Sequence, residues 1–333
     1  MDRPNRLVIA RKRIHSVLTR HGIALARTLE QKISDAGPNP QRIDPHILTE
    51  ARAQLIQEGI VVRRVVKNVP WFALRATPVA TLEQRLKVQL PIHDRIQQEG
   101  VKKRLGQSLE IAVFRALSQR KGAHFLGGFP DLDAHDDSEL YRKEEPPLSI
   151  GTDRIRGGPL DFVLLEQGIR AGIEAKNIRD WVYPAAAEVK EVLRKCVQLD
   201  AVPVLIARRI HFSAFLVLNR CGAIVHQNYN QLFPHSEAEL ANQAKHKNLL
   251  GYHDIRTANE PDQRLITFIT NNLPAALGGA REKFLQFRDL IESYATDQMN
   301  YEEFAGRVRR RTRGKPEDGD SEADEPGGTE PDF

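Results

Sequence analysis

The stretch GGPLDFVLLEQGIRAGIEAKN, residues 157–177, decides the expected fold because it joins two apolar runs through a short turn. The runs PLDFVLL and IRAGIEAKN are rich in residue types that favour β-strands. Between them, Gln167 and Gly168 form a two-residue loop, since glycine readily takes the positive φ that a tight hairpin turn needs. The stretch therefore predicts an antiparallel β-hairpin that belongs to a protein core.

Three charged side chains interrupt this apolar hairpin. With a two-residue loop, Asp161 lies opposite Glu174, and the Cβ atoms of such a cross-strand pair are about 4.5–5.5 Å apart. Lys176 follows Glu174 by two positions and lies on the same face of the strand. Adjacent carboxylates repel unless a cation lies between them, and their oxygens suit Mg²⁺ or Mn²⁺. The pattern predicts a hydrolytic metal site in which Lys176 assists the attacking water; the alternative is a surface hairpin with an ordinary Glu–Lys pair.

The charge of the chain is unevenly distributed. The 333 residues have a net charge of +5, but the segment after Lys315 holds eight acidic residues and no basic one. The rest of the chain has 49 Lys and Arg against 36 Asp and Glu, a balance that favours a polyanionic partner, above all nucleic acid. The Pro-, Gly- and acid-rich tail is expected to be disordered, and it either masks a basic surface or only aids solubility.

The sequence also indicates the cellular compartment of the protein. No run of eighteen apolar residues is present, which excludes a membrane-spanning helix. The N-terminal sequence MDRPNRLVIARKR lacks the apolar region of a signal peptide. The two cysteines, Cys196 and Cys221, have neither disulfide-framework nor metal-ligand spacing, and both are expected to be core residues. These features favour a cytoplasmic protein with no membrane partner.

Residues 1–78 are predicted to form a winged helix-turn-helix domain. Three helical patterns are followed by two β-rich runs, IVVRRVV and PWFALRA, which the loop KNV separates. The second helix is predicted to span HGIALARTLEQKISDAG. The third follows the N-cap residue Asp44 and has Pro45 at its first position. Three helices and a hairpin are the layout of a winged helix.

The charge of this domain favours DNA as its ligand. Residues 1–75 contain fourteen Lys and Arg against six Asp and Glu. The third helix, which carries Arg52, is expected to enter a major groove. Arg63, Arg64 and Lys67 cluster on the predicted wing. The alternative is a winged helix that serves protein contact or dimerisation. The sequence therefore also allows the protein to form a homodimer.

A second domain is expected after a helical or extended linker at residues 79–100. A helix that begins near Val101 carries an apolar stripe, with Glu110 beside it. The Gly-, Pro- and Asp-rich segment at 122–158 is long for a loop inside a domain, and such loops are often functional. Its acidic part around Asp131 lacks the glycine and the terminal glutamate of a calcium loop, which favours a solvated loop.

Pro159-Leu160-Asp161, then twelve residues, then Glu174-Ala175-Lys176 resemble the signature of the PD-(D/E)XK nuclease superfamily. This is the fold of many restriction endonucleases and Holliday-junction resolvases. The resemblance covers about residues 100–220, and it departs from the literal Pro-Asp pair because Leu160 directly precedes Asp161. GQSLEIAVFRALS resembles the first helix of that family, whose acidic residue often joins the metal site, which implies this role for Glu110.

The segments after the hairpin agree with the resemblance. AAAEVKEVLRKCVQLDA is predicted to be a crossover helix and VPVLIARR the next strand, which gives a restriction-endonuclease-like αβββαβ core with a mixed sheet. Gln198 occupies a place where this family often has a polar residue near the site, and a solvent-facing glutamine is an equal alternative. For His211, a polar residue at the end of a strand is favoured over contact with a phosphate or with the active site.

The remaining chain is predicted to add a hairpin and then helices. FSAFLVLN and AIVHQ have β character around the turn at 220–222. Residues 233–313 are predicted to form a helical appendage, with a capping box at Ser236 and Glu239 and a last helix that begins near Asn300. The run GRVRRRTRGK, residues 306–315, is either a phosphate-binding extension or a solvated helix end.

Together the patterns predict an α/β protein that hydrolyses DNA phosphodiester bonds as a metal-dependent endonuclease, as in restriction or defence. The predicted parts are a winged helix-turn-helix domain, a linker, a nuclease core, a helical C-terminal appendage and a disordered acidic tail, at 1–78, 79–100, 101–232, 233–313 and 314–333. Asp161, Glu174 and Glu110 are the expected ligands of Mg²⁺ or Mn²⁺, Lys176 completes the catalytic set, and double-stranded DNA is the expected partner. The alternative is a DNA-binding regulator or scaffold that keeps a nuclease fold without catalysis. An adaptor for other proteins would leave the basic surface unexplained.

Overall fold

The structure is a computed structural model, and it describes residues 3–35, 42–133 and 137–317. These residues form a mixed α/β protein. In chain order the elements are α1 (Arg3–His21), β1 (Ile23–Leu25), α2 (Ala26–Ile33), α3 (Pro45–Gln57), β2 (Val61–Val66), β3 (Val69–Leu74), α4 (Val79–Gln97), α5 (Glu99–Gln119), β4 (His124–Leu126), β5 (Ser149–Ile150), β6 (Asp153–Arg154), β7 (Phe162–Glu166), β8 (Ile169–Lys176), α6 (Ala187–Gln198), β9 (Val202–Ala207), α7 (Phe212–Arg220), β10 (Ile224–Gln227), β11 (Gln231–Phe233), α8 (Ala238–Lys245), β12 (Ile255–Thr257), α9 (Gln263–Thr267), α10 (Leu273–Ala295) and α11 (Tyr301–Thr312). A 3₁₀ turn, His235–Glu237, precedes α8, and a π-helical turn, Phe268–Asn272, joins α9 to α10.

The N-terminal module combines three helices with a three-stranded antiparallel sheet. β2 and β3 form the expected hairpin, and β1 pairs with the other edge of β3. The prediction of one helix from residue 21 onward was wrong at its start, because Ile23–Leu25 is a strand and α2 begins only at Ala26. Gly22, with a φ of 72°, ends α1 and turns the chain toward this pairing. Residues 36–37 of the predicted helix lie outside the described residues.

A five-stranded mixed sheet forms the centre of the molecule, in the order β10-β9-β8-β7-β4. β7 is antiparallel to β4 and β8, whereas β8, β9 and β10 are parallel to one another. The predicted hairpin register is confirmed, since Phe162 pairs with Ile173 across the two-residue loop. Positive φ angles at Gln167 (50°) and Gly168 (77°) close this turn.

Helices cover both faces of the central sheet. α5 packs on one face, where the buried apolar side chains of the hairpin include Phe162, Leu164, Ala171 and Ile173. α6 packs on the other face, against Val163 and through its own Cys196. Successive residues of a strand point to opposite faces, so Glu174 and Lys176 project toward the α6 side.

Residues 79–100 are helical and belong to the packed structure. α4 ends at Gln97 and α5 begins at Glu99, so two consecutive helices connect the two modules. One apolar cluster contains Trp71 of β3, Leu82 of α4, Leu105 of α5 and Leu240 of α8. The predicted linker therefore joins the N-terminal module to the rest of the chain through a shared core. Within the described ranges, no helix has the length and the apolar character to cross a membrane.

The predicted hairpin at the end of the sheet was wrong. FSAFLVLN forms helix α7, and β10 follows it parallel to β9, so this region is a β-α-β unit. Ala214, Val217, Leu218 and Cys221 are buried together at helical spacing, which explains why the apolar run folds as a helix.

Asp44 and Asn300 lie at the predicted N-cap positions of α3 and α11, whereas the predicted cap of α8 is wrong. Within the described residues, the Asp44 side chain makes no capping hydrogen bond. The side chain of Asn300 accepts a hydrogen bond from Glu303 N at 3.0 Å and caps α11, as expected. Ser236 does not cap α8, because its hydroxyl donates to the carbonyl of Asp137 at 2.7 Å. The predicted disordered tail at 314–333 lies outside the described residues from position 318 onward.

Candidate active site

The predicted site lies at the open end of the hairpin, where β7 begins and β8 ends. Asp161 and Glu174 are only 8% and 4% exposed. The backbone N–H of Ala175 donates to Asp161 Oδ2 at 2.8 Å. Lys176 Nζ donates to Glu174 Oε1 at 2.6 Å. The hairpin thus brings the three charged residues of β7 and β8 to one place, as the register predicted.

Lys143 connects Glu110 of α5 to this cluster, and the sequence analysis did not select it. Its Nζ lies 2.5 Å from Asp161 Oδ1 and 2.8 Å from Glu110 Oε2. An ammonium group therefore lies between two carboxylates, where the sequence predicted a metal cation. No local pattern singles out this lysine, which follows Arg142 in a long irregular segment.

Backbone contacts on both sides hold Lys143 in position. The backbone N–H of Tyr141 donates to Gln107 Oε1 at 3.0 Å, and its carbonyl accepts from Gln107 Nε2 at 2.9 Å. Glu144 exchanges two backbone hydrogen bonds of 2.8 Å with Gly128. Residues on either side of Lys143 are thus fixed to other parts of the molecule. These contacts hold the backbone of Lys143 next to the cluster.

Lys195 of α6 is a second lysine that the sequence analysis missed. Its side chain is only 4% exposed, and its Nζ lies 2.8 Å from Glu191 Oε1 and 3.6 Å from Glu174 Oε2. It also donates to the carbonyl of Pro159 at 2.7 Å. The sequence did carry a signal, since Lys195 falls on the buried stripe of an amphipathic helix, next to Cys196.

Burial and neighbouring charge raise the pKa of both glutamates. Desolvation, followed by the charge of Asp161, raises the pKa of Glu110 to about 7, although Lys143 opposes the shift. The same two causes raise the pKa of Glu174. Burial by itself would lower the pKa of Lys143, but Asp161 and Glu110 together raise it. The cluster therefore holds a charged Lys143 beside a Glu110 that loses its proton less readily than an exposed glutamate.

The donor atoms suit a hard divalent cation, but lysines are already paired with them. Within the described ranges, no donor lies within hydrogen-bond distance of the buried Glu174 Oε2, although Lys195 Nζ forms a longer ion pair with it at 3.6 Å. In the same part of the chain, no three His, Cys, Asp or Glu side chains are grouped closely enough to hold a metal ion. The chemistry of the oxygens fits Mg²⁺ or Mn²⁺, and Lys143 takes the position between Asp161 and Glu110.

The weaker candidates make contacts away from these carboxylates. Gln198 Oε1 accepts from Arg156 N at 2.8 Å and so holds the segment before the hairpin. His211 is the N-cap residue of α7, where its Nδ1 accepts from Ser213 N at 3.3 Å. Asp131, expected in a solvated loop, accepts from Arg142 N at 2.9 and 3.0 Å and helps to place the neighbouring Lys143.

The predicted DNA-binding residues differ in their surroundings. Arg63 on β2 is exposed, and Lys67 is exposed but paired with Asp94 of α4 at 2.6 Å. Arg64, the next residue on β2, projects to the opposite face from Arg63. The Arg52 guanidinium lies over the Phe72 ring, 4.5 Å from its centroid, and burial lowers the Arg52 pKa. Arg63 is thus the most available of the four, and contact of any of them with DNA stays a prediction.

Comparisons of the chain with protein-family models, with curated proteins and with solved structures found no match. The likeness of residues 100–220 to the PD-(D/E)XK superfamily accordingly stays a prediction. A function can be inferred from the residues of this chain and their geometry.

Proposed function

We propose that the protein is a metal-dependent nuclease that hydrolyses phosphodiester bonds of DNA. The observation that carries this proposal is the convergence of Glu110, Asp161 and Glu174, which come from three different parts of the chain, on one buried cluster with Lys143 and Lys176. Burial of several charged groups costs folding free energy. Strongly shifted pKa values in such a cluster are typical of functional sites.

The chain offers a distinct role for each group. Asp161 and Glu174 would hold a divalent ion, with Glu110 as the supporting carboxylate. When bound, such an ion supplies an activated water molecule and neutralises charge on the attacked phosphate. Lys176, which Glu174 positions at 2.6 Å, provides a charged donor that orients water and stabilises negative charge in the transition state. Lys195 supports Glu174 from α6 through the buried contact at 3.6 Å.

The charge of the chain supports DNA as the substrate. The N-terminal module has fourteen Lys and Arg against six Asp and Glu in residues 1–75, and it presents Arg63 on an exposed strand face. Phosphate contacts from such a surface bind DNA without regard to sequence and weaken as salt rises. The N-terminal module would bind the DNA, and the carboxylate cluster would catalyse the hydrolysis.

One observation favours a second candidate, a DNA-binding regulator or scaffold without catalysis. Lys143 already pairs with both Asp161 and Glu110, so the cluster gains charge compensation without any metal ion. In this case the carboxylates and lysines would only fix the hairpin to α5 and to the segment that carries Lys143. The two candidates predict opposite results with divalent ions.

The discriminating experiment uses the purified full chain with supercoiled plasmid, linear duplex, branched DNA and single strands. We expect cleavage with Mg²⁺ or Mn²⁺ and none with EDTA. Asp161→Asn and Glu174→Gln should abolish cleavage and keep DNA binding. Lys176→Ala should slow hydrolysis by about 10²-fold and keep the metal-induced rise in melting temperature. Glu188→Gln, on α6 outside the cluster, is the matched control.

Two results would contradict the nuclease proposal. Substantial cleavage by Glu174→Gln protein would show that the hairpin does not carry the catalytic residues. DNA binding without cleavage of any substrate, at any metal or salt concentration, would favour the regulator or scaffold.

A further inference from the structure

A cavity lies between the N-terminal module and the segment that follows β8. Its volume is about 460 Å³, within the range of about 300–1,000 Å³ that is typical of small-molecule sites. The residues that line it are Arg27, Glu30, Pro45, His46, Thr49, Trp181 and Tyr183. None of these residues takes part in the carboxylate cluster, so the cavity is a separate feature.

Aromatic rings form one wall of this cavity, and the backbone fixes them in place. The Tyr183 ring stacks on His211, with centroids 4.8 Å apart and an angle of 25° between the planes. Between Trp181 and Tyr183, the backbone N–H of Val182 donates to the carbonyl of Arg209 at 2.9 Å, and its carbonyl accepts from His211 N at 2.9 Å. The wall is therefore preformed, which lowers the entropy cost of binding a flat ligand.

The polar groups of the cavity suit a neutral ligand that forms hydrogen bonds. The Trp181 ring contributes to the lining, whereas its Nε1–H is fully buried. The Glu30 carboxylate also lines the cavity and can accept hydrogen bonds from a ligand. Arg27 pairs with Glu30 at 2.6 Å and also with Asp180. Because these carboxylates already neutralise the arginine, the cavity is poorly suited to a phosphate and better suited to an uncharged planar group.

The position of the cavity connects it with both parts of the proposed function. Thr49 and His46 are exposed residues of α3, the helix expected to face a DNA groove. Trp181 follows Lys176 by five residues, a length of chain that spans at most about 18 Å. A planar group that enters beside α3 would therefore contact a residue whose Cα lies at most about 18 Å from that of Lys176.

We propose that this cavity binds a nucleobase of the DNA substrate that has left the base stack. This inference rests on the proposed function, because it requires that the protein binds DNA. Aromatic rings stack on any nucleobase, and Glu30 offers an acceptor to an exocyclic amino group. The chain would then hold DNA by its backbone through the N-terminal module and by one displaced base through the cavity.

The test compares binding to a fully paired duplex with binding to the same duplex carrying one bulged adenine or cytosine, in EDTA so that cleavage cannot occur. A bulged base leaves the stack at low cost, so the wild-type chain should bind the bulged duplex at least about fivefold more tightly. Tyr183→Leu removes a stacking ring from the cavity wall, at a position outside α3, and should abolish this preference while binding to paired DNA persists. Tyr301→Leu makes the same change at the first residue of α11, does not line the cavity, and should keep the preference.

Four results would contradict the proposal for the cavity. An equal preference in Tyr183→Leu and wild type, or no preference in the wild type, would overturn the cavity assignment. Saturable binding of free deoxyadenosine or deoxycytidine, without a preference between the duplexes, would show that the cavity binds a free nucleoside. The proposal that it binds a base of the DNA would then be wrong. If the wild type shows metal-dependent cleavage but no preference, the cavity assignment fails alone. If none of the three proteins binds DNA, this inference and the proposed function both fail.

Discussion

Lys143 sets the charge balance of the candidate site at the scale of single residues. Its ammonium pairs with Glu110 and Asp161, and the side chain is 19% exposed, so the pairs are largely shielded from water. Without this cation, two carboxylates would face each other in a poorly solvated place. A divalent ion at the proposed site and Lys143 would therefore compete for the same oxygen atoms.

Lys143→Met is expected to destabilise the metal-free protein by about 3 kcal/mol, because it leaves buried carboxylates without their cation. Added Mn²⁺ should then raise the melting temperature of the variant more than that of the wild type, because the ion no longer has to displace an ammonium. Thermal unfolding in EDTA and in Mn²⁺ measures both effects. Lys121→Met, at an exposed lysine before β4, is the matched control. If Mn²⁺ raises the melting temperature of the variant and of the wild type equally, Lys143 does not compete with the metal ion.

His226 is expected to make the protein less stable in acid. Burial lowers the pKa of this histidine to about 4, and its ring stacks on Phe268 with centroids 4.3 Å apart. An unfolded histidine has a pKa of about 6.5. Between these two values the unfolded chain binds a proton that the folded chain excludes. This contribution to stability is therefore complete above about pH 6.5 and is lost as the pH falls toward 4.

His226→Phe should remove this acid sensitivity, which is worth about 2 kcal/mol after allowance for partial exposure of the histidine. Urea unfolding at pH 7.5 and at pH 4.5 measures the effect as a smaller loss of unfolding free energy in the variant. His15→Phe, at an exposed position of α1, should lose as much as the wild type. The assignment fails if the two variants respond alike.

At the scale of elements, the contact of α6 with the hairpin depends on a residue without a side chain. A Cβ atom on Gly172 would lie 2.6 Å from Cys196 Sγ and 2.7 Å from Leu160 Cδ1. α6 can therefore approach β8 only because glycine occupies this position. The same approach brings Lys195 to Glu174, so the packing of the helix and the geometry of the site are linked.

Gly172→Ala is expected to destabilise the protein by about 1–3 kcal/mol, because the added methyl group forces α6 away from the sheet. Gly106→Ala is the opposite case, since among the described residues no atom outside the α5 backbone next to Gly106 lies within 4 Å of the added Cβ. It should stabilise the helix by up to about 1 kcal/mol. Chemical denaturation of the two variants measures both signs. A neutral effect of Gly172→Ala would contradict the close packing between α6 and β8.

The balance of basic surface and acidic tail belongs to the scale of the whole molecule. The eight acidic residues after Lys315 oppose a chain that otherwise has 49 basic and 36 acidic residues. The start of the tail contacts the basic last helix, because Arg311 of α11 pairs with Glu317 as well as with Asp289. The tail is thus attached at a place where it can compete with phosphates for arginines.

Deletion of residues 316–333 is expected to tighten nonspecific DNA binding at low salt, because the tail no longer neutralises basic groups. The gain should shrink as salt rises, since both interactions are screened. Fluorescence anisotropy with a labelled duplex across a salt series measures it. A Gly/Ser tail of equal length should match the deletion if charge is the cause. Identical curves for the wild type and the deletion would mean that the tail acts only on solubility.

The sequence by itself determined the features that a few neighbouring residues encode. A two-residue loop at Gln167 and Gly168 fixes the hairpin register, which places Asp161 and Glu174 at facing positions. The capping of α11 by Asn300 is local in the same sense. Residue types and charge likewise gave the candidate carboxylates and the basic N-terminal module without any knowledge of packing.

Only the tertiary structure decided features that depend on distant partners. The apolar run at Ile23–Leu25 fits a helix or a strand, and the free edge of β3 makes it a strand. The run in α7 is ambiguous in the same way, and burial between the sheet and the C-terminal helices makes it a helix. Lys143 meets Asp161 across 18 positions, and contact between such distant residues depends on how the whole chain packs. Local patterns therefore gave the carboxylates of the site, while long-range packing supplied the lysine between them.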